Sequence, residues 1–130
     1  MLASIVLSAC TGESQLQLDG SYSAESFTDS NGDSQPLTED SRLQISFDET
    51  GMRHSAGCNS TSGSEYELTN SGTLVIDLGF STAEGCSQTL GEQEIFFAQF
   101  LLSEPSVEVD GQTLTLTTND TTIEFLSMDS

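Results

Sequence analysis

Cys58 and His54 stand four residues apart in the stretch MRHSAGCNSTSG, a thiol and an imidazole close in sequence. A thiolate beside a histidine base would be an activated nucleophile. The pair must come within hydrogen-bond reach, which a four-residue spacing provides on a helix. On an extended strand the same two residues lie ~13 Å apart. His54 is the single histidine of the chain, and no third residue is evident to orient it. Zinc is a second use, but it wants about four ligands, and His54, Cys58 and Cys86 supply three at most. A third use is a disulfide between Cys58 and Cys86, which needs only that the two meet.

The polar loop TDSNGDSQPLTED offers a cation site. Asp29, Asn31 and Asp33 match the first three ligand positions of a calcium loop, and Asp40 falls at the twelfth. Ser34 stands at the sixth position, where a glycine is wanted, and the flanks read as strands instead of helices. Such residues are also the ordinary composition of an exposed loop. No glycine-rich phosphate loop, paired catalytic carboxylates or basic stripe is present, so the residues imply no catalytic reaction and no cofactor.

The elements that position these groups are mostly strands. SRLQISFDE puts Leu43, Ile45 and Phe47 on one face, and TLVIDL does the same with Leu74, Ile76 and Leu78. Val107/Val109, Leu114/Leu116 and Ile123/Phe125 continue the alternation, with fainter signals at 20–27, 52–56 and 65–69. Asp110-Gly111 between two alternating runs predicts a hairpin. One segment differs. TLGEQEIFFAQFLLSEP predicts a helix over about 89–103, with Thr89 and Glu92 as a capping box and Pro105 past its end. Ile95, Ala98, Leu101 and Leu102 share a predicted face, widened by Phe96, Phe97 and Phe100. Glu92 and Glu94 read as dipole and cap partners of that helix. The fold class is mainly β, a small antiparallel, barrel-like meander of about eight strands with one helix against it.

Composition bounds the partners. A chain of 130 residues makes one domain. Its 21 acidic residues face only Arg42 and Arg53, with no lysine and a formal charge of −19. Nucleic acid and anionic lipid surfaces would repel it. The acids are scattered along the chain, which suits a solubility adaptation to salt; attraction of cations or a basic protein is the competing reading. The start, MLASIVLSAC, carries an apolar run too short for a bilayer and ends in Leu7-Ser8-Ala9-Cys10, the pattern of a bacterial lipoprotein signal. No basic residue precedes the run, so 1–9 reads as a truncated signal peptide. Cys10 would then carry the lipid, 10–18 would be a polar tether and 19–128 the domain. Thr11 in place of an acidic residue resembles lipoproteins passed to the outer membrane of a Gram-negative host. Outside the cytoplasm thiols oxidise, and the remaining even pair, Cys58 and Cys86, reads first as a disulfide.

At Gly57-Cys58-Asn59, with Gly63 and Tyr66 after it, the chain resembles the META domain and is similar to the HslJ-type heat-inducible proteins of the bacterial envelope. The shared order includes Gly20-Ser21-Tyr22, the segment Thr82 to Cys86, a Glu-rich helix start and SVEVDGQTLTLT, about residues 19–126 in all. Departures are Tyr22 where tryptophan is usual, Thr82-Ala83-Glu84-Gly85-Cys86 where Thr-x-Met-Ala-Cys is usual, and Ser60-Thr61 in place of a basic and aromatic pair. The resemblance implies a barrel-like fold with one helix, proximity of Cys58 and Cys86, and no established reaction. A disulfide closing that loop would stabilise the fold by roughly 3.5 kcal/mol in the chain-entropy model. The expected function is that of a non-enzymatic, monomeric envelope protein, bound to the membrane through Cys10 and serving stress tolerance through a protein partner. The alternative is a module holding a small apolar molecule in the barrel mouth.

Overall fold

The computed structural model of the chain describes residues 18–128, apart from 39, 40 and 50. The signal segment 1–9, Cys10, the tether up to residue 17, and Asp40 lie outside the described residues.

Alternating residues form the sheet because successive side chains of a strand point to opposite faces. The strands are β1 (Gly20–Ala24), β2 (Ser26–Thr28), β3 (Ser34–Pro36), β4 (Leu43–Asp48), β5 (Gly51–Ser55) and β6 (Ser60–Leu68). They continue as β7 (Leu74–Asp77), β8 (Phe80–Ser81), β9 (Ser106–Asp110), β10 (Thr113–Thr117) and β11 (Thr122–Ser127). Eight of them follow the path β9-β10-β11-β1-β4-β5-β6-β7, every neighbour antiparallel. The hairpin β2–β3 attaches to β11, and β8 attaches to β6. The path does not close as a continuous ladder. Its ends meet at one bridge, Thr73 opposite Ser106, where Leu74 N–H donates to the Pro105 carbonyl and Val107 N–H to that of Gly72. The expected barrel-like meander is therefore present.

Sequence and structure part company at the small strands. The run expected at 20–27 divides at Glu25, because β1 pairs with β4 whereas β2 turns away to pair with β3. Strands β3 and β8 have no alternating apolar pattern and exist through pairing with a neighbour. Four strands show the expected apolar face: Leu43, Ile45, Phe47, Leu74, Ile76, Leu114, Leu116, Ile123 and Phe125 are all buried, whereas Leu78 and Val109, expected on such faces, are exposed.

Helix α1 (Gln88–Leu102) fills the space that the curved sheet encloses. Its cap is Ser87, whose hydroxyl accepts from Leu90 N–H at 3.2 Å, and not the expected Thr89. The cap lies two residues earlier than expected, and the buried face differs in part from the predicted one. Phe97, Phe100 and Leu101 point inward, whereas Ile95 is 60% and Leu102 49% exposed. Phe97 packs against Phe125, with ring centroids 6.2 Å apart, and Phe96 covers Phe27 at 4.7 Å. Apolar side chains nearly surround this helix, so spacing alone could not choose the face that the barrel would take.

Truncating an inward residue of the helix leaves a cavity, and truncating an outward one does not. Phe97→Ala is expected to cost ~3–5 kcal/mol of unfolding free energy, whereas Ile95→Ala should stay within about 0.5 kcal/mol. Urea denaturation followed by circular dichroism checks both.

Candidate functional site

Cys58 lies in the turn that joins β5 to β6, and Cys86 in the segment that leads from β8 into α1. The two are joined as a disulfide, with Cα atoms 6.1 Å apart and a sequence separation of 28. The thiol that spacing offered as a nucleophile is thus consumed in a bond between the sheet and the start of the helix.

Asn59, next in the chain, extends that connection in several directions. Its backbone N–H donates to Glu94 Oε2 at 2.8 Å, and its Nδ2 donates to Glu94 Oε1 at 3.2 Å and the Glu84 carbonyl at 3.3 Å. The same Nδ2 lies 3.4 Å from Cys86 Sγ. Oδ1 accepts from Thr82 Oγ1 at 2.7 Å and from Glu84 N–H at 2.8 Å. One amide therefore fixes the segment Thr82 to Cys86 and ties it to the second turn of α1. Glu94 is the acceptor of Asn59, a role that its position near the helix start did not reveal.

Gln93 makes the companion contacts. Its Nε2 donates to the Ala56 carbonyl at 2.9 Å and to Ser41 Oγ at 2.7 Å, while its Oε1 accepts from Thr38 N–H at 2.9 Å. Gly57 is required at this junction. It has a φ of +106°, and a Cβ there would approach Ser41 Cβ to 2.7 Å and Leu90 Cδ2 to 3.2 Å. Gly63, two residues beyond Thr61 in β6, takes φ of +74° where the β5–β6 register shifts. The motif residues Gly57, Cys58, Asn59 and Gly63 so have local geometric reasons. The sequence offered Glu94 only as a helix dipole partner and did not mark Gln93, because their partners lie 35 to 55 residues away.

His54 sits on the inward face of β5, opposite Thr61 of β6, and is buried. Its ring meets Phe97 edge to face, at 5.8 Å between centroids, and Nε2 has no hydrogen-bond partner among the described residues. Burial lowers its pKa from 6.5 to about 4, against the opposing pull of the Glu94 charge. His54 and Cys58 do not form a nucleophile–base pair, since the cysteine is bonded to Cys86.

The calcium candidate forms a hairpin turn between β2 and β3. Asp29 Oδ1 accepts from Asn31 N–H at 2.9 Å and Asp33 N–H at 3.1 Å, and Oδ2 accepts from Gln35 Nε2 at 2.8 Å. These bonds hold the Asp29 carboxyl below its ordinary pKa. Among the described residues, no group of three or more His, Cys, Asp or Glu side chains is arranged to hold a metal ion.

The depressed pKa of His54 has a definite sign. Between about 4 and 6.5 the unfolded chain binds a proton that the folded chain does not, so stability falls as pH drops through this window and is unaffected above it. The loss between pH 6.5 and 5 should be roughly 1.5 kcal/mol. Urea unfolding of wild type and His54→Leu across that range checks it: the slope difference should vanish if His54 is solvated.

A protein-family model described as the META domain matches residues 14–130. No curated protein matched the chain. Among solved structures, one described as the NMR structure of the protein is similar at a TM-score of 0.56 and 23% identity, covering 85% of this chain and 90% of that chain. At that identity the likeness shows the fold alone. The family match takes in the disulfide, the Asn59 contacts and every described strand, and the chain belongs to the META domain family.

Proposed function

We propose that the chain is a non-enzymatic protein of the cell envelope, of the HslJ type, held on the extracytoplasmic side by a lipid on Cys10. In a Gram-negative host the membrane would be the outer one. Its contribution would be to envelope stress tolerance, through binding a protein partner. The observation that carries the non-enzymatic reading is the fate of the reactive groups: Cys58 is bonded to Cys86, and His54 is enclosed beside Phe97. The envelope reading is supported by Leu7-Ser8-Ala9-Cys10 and by a disulfide of the kind that persists in oxidising compartments.

The alternative, an apolar molecule held in the barrel mouth, has less support. Phe97, Phe100 and Leu101 of α1 occupy the interior such a ligand would need. A surface cavity of about 510 Å³ is lined by Ser103, Glu104, Ser106, Thr117, Asn119 and Asp120, which are polar. Apolar ligands prefer concave sites lined by apolar and aromatic groups.

Intact-mass measurement after alkylation tests the reading of the cysteines. A Cys10→Ser chain should take no label before reduction and two labels after it. Rapid labelling of Cys58 without reduction would contradict the structural reading and reopen thiol chemistry. For the anchor, wild type expressed in a bacterial host should partition with membranes and carry acyl mass on Cys10. A Cys10→Ser variant should lose both; equal partitioning of the two would sink the lipid anchor.

A further inference from the structure

The outer edge of the sheet at β8 combines three features. Strand β8 pairs with β6 on one side, Phe80 opposite Ser62 and Ser81 opposite Thr61, and its other side meets no strand among the described residues. Thr61 pairs with the buried His54 and so faces inward, which turns Ser62 and Phe80 outward. Phe80 is 88% exposed. The edge is held in this shape by Gly79, where a Cβ would stand 2.1 Å from the Ser62 carbonyl oxygen. The backbone there is pressed against β6, and the aromatic ring beyond it is thrown out.

Charge on the outer face of β6 and β7 is of one sign. Glu65 of β6 lies directly opposite Asp77 of β7, and both are exposed, with Glu67 two residues along. Like charges in directly opposed positions are unfavourable in a sheet. The chain has little cation to relieve them: Arg42 is 2.8 Å from Glu25, and Arg53, exposed on the same face, stands on β5, across β6 from this edge.

We propose that this edge is the docking site for an extended, cationic segment of a partner protein. The segment's main chain would pair with the free side of β8, as in strand addition. An apolar side chain would cover Phe80, and Lys or Arg would meet Glu65 and Asp77. Charge selects this occupant. A second copy of the chain would bring −19 against −19, and lipid headgroups or nucleic acid of negative charge meet the same repulsion. The proposal rests on the partner-binding reading above and gives it a place and a chemistry.

The probe is a synthetic decapeptide alternating lysine and valine with one central phenylalanine, titrated into the isotope-labelled Cys10→Ser chain and followed by NMR. Shifts should concentrate on residues 78–82 and on Glu65. Phe80→Ser should weaken binding at least tenfold, and the double variant Glu65→Gln, Asp77→Asn at least threefold with a shallower salt dependence. The matched double variant Glu108→Gln, Glu124→Gln, on β9 and β11, should leave the affinity within a factor of two. Equal weakening by both pairs would mean diffuse attraction and would overturn the site, as would absence of binding. A photo-crosslinker placed in the cell-expressed chain separates this failure from that of the wider reading. Adducts from position 126 and none from position 80 would defeat the edge alone, whereas none from either would defeat partner binding itself.

Discussion

The connection between the β5–β6 turn and the first turns of α1 is the constraint on which the rest of the molecule depends. It consists of the Cys58–Cys86 bond and the amide of Asn59, which reaches Glu84, Thr82 and Glu94 together. A helix lying in a curved sheet is free to slide or tilt unless something sets its height. Here the disulfide sets where the helix begins, and Gln93 repeats the tie to Ala56 and Ser41 one residue before Glu94. With its start fixed, Phe97 and Phe100 fall into the interior, and the chain leaves the helix at Pro105 in position to bridge Thr73 with Ser106. Restricting the unfolded chain by the disulfide contributes roughly 3.5 kcal/mol in the chain-entropy model, a large part of the net 5–15 kcal/mol typical of a domain.

Function follows from what that arrangement consumes. Cys58 and Cys86 serve the fold, and the single histidine is packed on an aromatic ring, its Nε2 without a hydrogen-bond partner among the described residues. Such a histidine favours the neutral state and is a liability in acid, not a proton carrier at neutral pH. The helix fills the barrel with its own phenylalanines, and under the proposed function recognition would belong to the outside of the molecule. There the acidic side chains and Phe80 are the chemistry on offer.

Much of this was legible in the sequence, and what was not has physical causes. Alternation at Leu43, Ile45 and Phe47, or at Leu114 and Leu116, is visible because one face is buried and the other is wet. Strand β3, reading Ser-Gln-Pro, carries no such contrast and is defined by its register with β2. The helix was recognisable, but its inward face was not, because Ile95 and Leu102 are apolar and nevertheless exposed. Ser87 took the cap from Thr89 because Cys86, one residue before it, is fixed by the disulfide. The motif Gly57-Cys58-Asn59 stood out, whereas the contacts of Asn59 with Glu94 and of Gln93 with Ser41 and Ala56 span separations that local pattern does not encode.

Whether the Asn59 contacts hold the helix in place together with the disulfide can be read from amide hydrogen exchange of Asn59→Ala with the disulfide intact. Amides in the first turns of α1 should then exchange about tenfold faster or more, while those of β10 and β11 keep their protection. Unchanged protection of the helix start would contradict it, and would leave Phe97 and Phe100 as sufficient to hold the helix by packing alone.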